Sequence, residues 1–236
     1  MNWLEEHLAT CSLSEEAESY ALSRGARPET IREFGLVSWE PLPEPAPDEV
    51  FIKRYGERGE WIEDWLICPL TIPLGNILGF EARKLEEKKI TQFKLMPRAL
   101  WNPIWIGCHR SMGKIWGGCT IWVGEGQFDV YALEWAAPPE DAVLGSLRAK
   151  LTPAHVDFLR RASLRGCRVK LVWDEDESGR KGVEGWTDDT GKDHWGALKQ
   201  LKRVGVECED TRYTGGGDPG EIWDQGGAEA VIATFR

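Results

Sequence analysis

Two acidic strings hold the side chains best suited to chemistry in this sequence: Glu125 within GEGQFD, and Asp174 with Asp176 within WDEDESGRKG. Residues two apart on an extended chain project to one side, so Asp174 and Asp176 are expected to address one point while Glu175 faces away. Asp129 lies four residues beyond Glu125, on the same face if that stretch is helical. Carboxylates converging from two places in the chain suit a hard divalent cation such as Mg²⁺ or Mn²⁺. Such an ion takes few protein carboxylates and fills its shell with water and phosphate oxygens. A site of this kind positions a triphosphate or phosphodiester and offsets charge during in-line displacement. Glu125, Asp174 and Asp176 are therefore the expected catalytic and metal-binding acids, with Asp129 adding a ligand or orienting a metal-bound water.

Either string alone is a weak signal, since acidic turns are common on soluble proteins. The pair, each with an apolar strand before it and a glycine after it, is much stronger. Arg180 and Lys181, just past the second string, are placed to meet phosphate. The GGG at 215–217 lacks the lysine and hydroxyl of a phosphate-binding loop and reads as a connector that brings Asp218 toward the acids. His7, His109, His155 and His194 have no paired ligand spacing and receive no catalytic role. The six cysteines contain no CxxC pair, so no zinc is expected, and the thiols read as reduced and mostly buried. Most of the 13 tryptophans read as packing residues, with Trp101 and Trp105, beside Lys94 and Arg98, as candidates for stacking on single-stranded bases.

The elements that must position these groups are legible in outline. Helices are expected on either side of Gly25, from Ser14 as a cap to Gly35 as a stop, forming a helical hairpin. PLPEPAPD at 41–48 is half proline and reads as a linker. Short strands are expected at 65–67, 77–80 and 92–95. After Lys114 the pattern alternates: an apolar run at 115–123, a helix at 127–135, a strand at 142–144, and a helix from Thr152 and Pro153 to Gly166. A strand at 169–173, a helix at 194–204 and a strand from 206 complete it. That alternation implies a parallel α/β sheet with its chemistry at the carboxyl ends of the strands. Expected domains are a basic amino-terminal subdomain (1–114), an α/β domain (115–214), and a carboxyl-terminal segment (215–236) contributing Asp218 and a short helix.

At 236 residues, with 42% hydrophobic and 29% charged residues, the chain can bury a full core. No apolar run approaches the ~20 residues of a membrane span, and MNWLEEHLAT lacks the pattern of a secretory signal, so a cytoplasmic protein without a membrane partner is expected. The net charge of −10 argues against a protein that coats nucleic acid by bulk attraction. Two windows run against that average, Arg83 to Lys114 and Gly145 to Lys170, each with a net charge of +6. Basic islands beside an acidic cluster suit a polyanion held next to a metal, with a solvated mixed surface as the plainer reading.

Six collinear strings then carry a resemblance. AESYALSRGARPETIREFGL, PLTIPLGNILGFEARKL with QFKLMP, EGQFDVYAL, VLGSLRAKLTPAHVDFLRR, VKLVWDEDESGRKG and GGGDPGEIW together resemble the catalytic core of bacterial-type (DnaG-like) DNA primases, across about residues 17–224. The resemblance implies a Toprim domain, with a central parallel sheet flanked by helices, preceded by a mixed α+β basic subdomain. It places Glu125 at the Toprim glutamate and Asp174 and Asp176 at the metal-binding DxD pair. Asp129 and Asp218 fall at the supporting acids, and Arg83 and Lys94 at basic positions that hold template and nucleotide. Arg98, Arg148, Lys150, Arg180 and Lys181 complete the expected nucleic-acid and nucleotide contacts. Two departures stand out: Gly220 replaces a second acid beyond Asp218, and WNPIWIG lacks a lysine that many members carry there.

The function so implied is template-directed synthesis of short primers on single-stranded DNA from NTPs, by Mg²⁺- or Mn²⁺-dependent nucleotidyl transfer. Members often carry a zinc module and a helicase or helicase-binding domain. Their absence here fits a small phage or plasmid primase working with a separately encoded helicase or zinc-module protein. Two alternatives use the same residues differently: a Toprim-type metal-dependent nuclease, and a degenerate primase-like factor that binds single strands. A topoisomerase would need a nucleophilic tyrosine in a further domain, and only Tyr20, Tyr55, Tyr131 and Tyr213 exist.

Overall fold

Side-chain caps set the first helices. In a computed structural model that describes residues 1–72, 74–87, 89–95, 104–174, 176–211 and 217–235, Asn2 opens α1 (Trp3–Leu8). Its Oδ1 accepts from the Leu4 and Glu5 N–H groups, while Glu5 accepts from the Asn2 N–H. Ser14 caps α2 (Glu15–Ser23), and Pro28 occupies the first turn of α3 (Pro28–Phe34), which stops at Gly35 with φ 64°. The helical hairpin is thus formed by the expected punctuation. The proline stretch 41–48 contains neither helix nor strand.

The chain divides into two compact units, 1–98 and 99–236, a division that falls earlier than the expected 114/115 boundary. The first unit adds β1 (Val37–Ser38), α4 (Glu49–Tyr55, capped by Asp48), β2 (Leu66–Thr71), β3 (Ile77–Arg83) and β4 (Ile90–Lys94). The strands form an antiparallel sheet in the order β1-β2-β3-β4. Its core is aromatic: Trp39, Phe51, Phe80 and Phe93 are buried together with Leu4 and Leu8, and ring centroids lie 5.1 to 5.6 Å apart for the closest pairs.

The second unit contains α5 (Cys108–Gly117), β5 (Thr120–Gly124), α6 (Gln127–Ala136), β6 (Ala142–Gly145), α7 (Pro153–Ser163), β7 (Arg168–Leu171) and α8 (Glu177–Glu184). A small hairpin, β8 (Gly185–Thr187) with β9 (Asp193–Trp195), leads to α9 (Ala197–Arg203), β10 (Cys208–Asp210) and α10 (Pro219–Phe235), the last kinked at Gly227. The main sheet is wholly parallel, in the order β10-β7-β5-β6. Ile121, Val123, Leu144, Val169 and Leu171 form its buried middle, with Leu159 and Leu201 packed from the helices.

Several expectations are corrected. The apolar run from Ile115 is not one strand: Ile115 to Gly117 end α5, whose burial at Cys108, Ser111 and Ile115 follows a helical face that two internal glycines obscured. His194 and Trp195 are not the start of a helix but the end of a hairpin, because Gly196 must sit against Val183 and Gly185 backbone before α9 can begin. Trp105 is buried against His155 and Phe158 rather than available for stacking. Trp101, Arg98, Glu175 and the glycines at 215–216 lie outside the described residues.

Two glycine substitutions separate close approach from propensity. A Cβ on Gly182 would lie 1.8 Å from the Ala149 carbonyl oxygen, whereas one on Gly113, inside α5, would meet nothing within 4 Å. Gly182→Ala is expected to cost about 2 kcal/mol through overpacking, and Gly113→Ala to gain up to about 1 kcal/mol. Urea unfolding midpoints of the two variants check this, and equal shifts would contradict the packing.

Candidate metal centre

Parallel strands deliver their carboxyl ends to one edge, and that edge collects the acids. Glu125 follows β5, Asp174 follows β7 by three residues, and Asp218 comes after β10 at the start of α10. Asp129 stands in the first turn of α6. One carboxylate oxygen from each of Asp129, Asp174 and Asp218 lies within 4.8 Å of the other two. The Asp174 backbone N–H bonds to the Glu125 carboxylate, which also feels the charges of Asp129, Asp176 and Asp218.

Three of the acids are fixed by helix starts. Asp129 Oδ2 accepts from the Gly126 N–H at 2.7 Å, Asp176 Oδ1 from the Gly179 N–H at 2.7 Å, and Asp218 Oδ1 from the Glu221 N–H at 2.6 Å. Each carboxylate is thereby oriented by a helix N-terminus, which also favours its negative charge. Asp176 is the outlier: it is exposed, and it caps α8 instead of sharing an extended strand with Asp174. Packing of α10 on α6, with Trp135 and Trp223 rings 5.3 Å apart, holds Asp218 in the same neighbourhood as Asp129.

The energetic state of this cluster is strained. Burial first, then the repulsion of neighbouring acids, pushes the Glu125 carboxyl up to about 7 and the Asp174 carboxyl up to about 9. Glu125 Oε1 and Asp174 Oδ1 are buried and have no hydrogen-bond partner among the described residues. Buried oxygens without donors, beside three mutually close carboxylates, are the donor set that a hard divalent cation needs. The residues present therefore fit Mg²⁺ or Mn²⁺.

The basic candidates are placed unevenly. Arg148 lies in the loop after β6, at the same sheet edge, with Nε buried and unpartnered among the described residues. Burial, with the nearby Arg148 charge adding to it, pushes His155 down to about 4, so this imidazole is neutral and structural, its ring held by Thr152 and Ile104. Lys150 is exposed, with Nζ 3.8 Å from the Trp186 ring centroid. Arg180 is exposed, and Lys181 pairs with Glu177. In the first unit, Arg83 is largely buried and paired with Glu81 at 3.1 Å, and Lys94 ends β4, half-buried.

Sequence reading missed the groups that shape this edge. Ser146 is fully buried; its backbone N–H donates to the Gly124 carbonyl and its Oγ to the Arg148 carbonyl at 2.6 Å, tying the loop after β6 to the end of β5. Gly179 lets α8 start against the Asp174 backbone, where a Cβ would stand 2.0 Å from the carbonyl oxygen. The only sequence signals were a small residue in SLRAK and a glycine three residues after Asp176.

Raised carboxyl groups make metal-free stability fall with pH. The contribution of Glu125 is complete below about pH 4.5, is lost as pH rises through about 7, and amounts to on the order of 3 kcal/mol. Asp174 acts in the same direction over a window that ends higher. In a chelator, the thermal midpoint is expected to fall between about pH 5 and pH 8. Mn²⁺ should restore it at the upper pH, and Glu125→Gln should raise the metal-free midpoint while reducing the Mn²⁺ response. A metal-free midpoint that rises over that range would contradict the electrostatics described here.

No protein-family model and no curated protein sequence matches the chain. Solved structures do match. The zinc-binding and RNA polymerase domains of the Aquifex aeolicus primase align with a TM-score of 0.66 and 21% identity, covering 98% of this chain and 59% of that one. The RNA polymerase domain of Mycobacterium tuberculosis primase DnaG aligns at 0.66 and 19% identity, covering 94% of this chain and 76% of that one. A DnaG primase catalytic domain bound to single-stranded DNA aligns at 0.61 and 19% identity, covering 98% and 76%. The chain thus spans less than two thirds of the Aquifex structure. Its antiparallel amino-terminal sheet and four-stranded parallel sheet flanked by helices are the fold of the DnaG primase catalytic core.

Proposed function

We propose that the chain is the catalytic core of a DNA primase, joining nucleotides on a single-stranded DNA template. The observation that carries this reading is the convergence of Asp129, Asp174 and Asp218 oxygens within 4.8 Å, beside the partnerless buried oxygens of Glu125 and Asp174. Asp129, Asp174 and Asp218 would hold Mg²⁺ or Mn²⁺, with Glu125 and Asp176 completing the acidic surround. A divalent ion bound there supplies charge neutralisation for the triphosphate and lowers the cost of ionising a hydroxyl.

The chain's own groups then divide the work. Glu125, with one buried carboxylate oxygen that accepts no hydrogen bond from the described residues, is the proposed proton acceptor for the primer or initiating nucleotide 3′-hydroxyl. That oxygen bonds to the α-phosphorus of the incoming NTP, the bond to the bridging oxygen breaks, and diphosphate leaves. Arg148, on the neighbouring loop, and Arg180, in the first turns of α8, are the proposed phosphate contacts. Lys150 and Lys181 would need to leave Trp186 and Glu177 to do the same. In the amino-terminal unit, Arg83, Lys94 and Arg98 are the proposed template contacts, Arg83 through a guanidinium that Glu81 already orients. A helicase or zinc-module protein is the proposed partner for loading, and the cytoplasm the proposed location. No helix among the described residues is long and apolar enough to cross a membrane.

The test is template-dependent synthesis. Protein given single-stranded template, NTPs and Mn²⁺ should make short oligonucleotides. Glu125→Gln and Asp174→Asn should each lower the rate by about 10²-fold or more. Equal inertness of wild type and variants with partners present refutes the proposal. Plasmid nicking that needs metal but no NTP would instead make the site a nuclease, and salt-sensitive DNA binding indifferent to acid-to-amide change would make the chain a binding factor.

A further inference from the structure

Lys199, Lys202 and Arg203 are exposed on one face of α9, and none forms an ion pair with a described carboxylate. They surround Trp195, which ends the β8–β9 hairpin 37% exposed. The Lys199 Nζ lies 4.6 Å and the Arg203 guanidinium carbon 4.8 Å from the Trp195 ring centroid. With Leu198 and Glu184 these residues line an open depression of about 580 Å³. Three cations against one acid, on a chain of net charge −10, make a local reversal of sign.

Lys202 and Arg203 lie at the end of α9 that points away from the metal centre. β10 runs parallel to β7, and its carboxyl end leads toward Asp218. The carboxyl end of α9 feeds the amino end of β10, so it lies at the sheet edge opposite the acids. None of Asp129, Asp174 and Asp218 lines the depression.

We propose that this depression is a second contact for single-stranded DNA, in which a base stacks on Trp195 and the flanking phosphates engage Lys199, Lys202 and Arg203. The choice of DNA as occupant rests on the primase reading. The chemistry favours it independently, since an acidic peptide would use the cations but leave the indole face unused. A base uses both. Lys199 and Arg203 already sit over the ring, so they exchange a weak cation–π contact for a phosphate when a base arrives. The role is to grip strand that has passed, or not yet reached, the catalytic edge.

Binding is measured by fluorescence anisotropy with a labelled oligodeoxythymidine of about 20 nucleotides, in chelator, so that the metal centre is silent. Trp195→Ala should weaken binding at least about fivefold and Trp195→Phe should recover most of it. Combined Lys199→Ala, Lys202→Ala and Arg203→Ala should reduce the slope of log affinity against log salt by about 2. Oligonucleotides carrying 5-iododeoxyuridine should crosslink to the peptide containing Trp195. Circular dichroism confirms that the variants fold. Wild-type affinity in all variants, or crosslinks confined to other segments, overturns the proposal. An oligoglutamate peptide that binds the patch and is not displaced by DNA overturns it in favour of a protein partner. Loss of primer synthesis with the Trp195 crosslink intact would instead count against the catalytic reading alone.

Discussion

Mutual repulsion among carboxylates gathered at the carboxyl edge of one parallel sheet is the constraint to which the rest of the second unit answers. In isolation such groups would move apart into water. Here Glu125 and Asp174 are held where burial and neighbouring charge push both above the ordinary carboxylate range. The folded state tolerates this because Glu125 and Asp174 follow β5 and β7, neighbouring strands whose spacing is fixed by backbone hydrogen bonds at about 4.8 Å. A divalent ion removes the penalty, so the same geometry that costs stability without metal favours metal when it is present.

Close packing keeps the acids from escaping. Gly124 stands where a Cβ would come within 3.0 Å of Asp129 Cβ, and Gly179 where one would meet the Asp174 carbonyl. These contacts bring α6 and α8 down onto the strand ends and leave their N-termini pointing at the cluster. Asp129, Asp176 and Asp218 each have one oxygen engaged by a backbone N–H, so the position of the carboxylate is set by the helix before any ion binds. An acid-to-amide change keeps that cap, because Asn caps a helix as well as Asp does, and isolates the loss of charge. An acid-to-alanine change would lose both and could not be read as ligation alone.

The sequence exposed the parts of the fold that are punctuated and hid the parts that depend on glycine. Ser14, Pro28, Gly35, Thr152 and Pro153 mark helix boundaries by local chemistry, and the structure places helix ends at or within a few residues of them. The strands before Glu125 and Asp174 were legible as short apolar runs bounded by acid and glycine. By contrast, α8 has a sequence, ESGRKGVE, of low intrinsic helicity, stabilised by its Asp176 cap and by burial of Gly179, Gly182 and Val183. The β8–β9 hairpin is built on Asp188, which accepts from Thr190 and Lys192 and pairs with His194. No apolar alternation announced it. The triad of mutually close oxygens includes Asp218 and Asp129 ahead of Asp176, a distinction of side-chain direction that spacing along the chain does not contain.

Charge counting along the chain shows a further difference between composition and surface. The window from Gly145 to Lys170 is strongly basic on paper, yet Arg160 and Arg161 both pair with Asp157, Arg168 pairs with Glu207, and Lys170 lies between Glu209 and the Trp122 ring. In the other window Arg83 pairs with Glu81 and Lys84 with Glu87. Much of the apparent surplus is answered locally, and each such pair is worth little at an exposed surface but does remove a cation from competition for phosphate. The cations left without carboxylates at Lys199, Lys202 and Arg203 belong to KQLKR, a segment outside both windows and followed by acid at Glu207 and Glu209. A polyanion responds to potential at contact range, within a Debye length of about 8 Å at physiological salt. Over that distance the pairing of individual side chains, more than the sum over thirty residues, decides where a strand can lie.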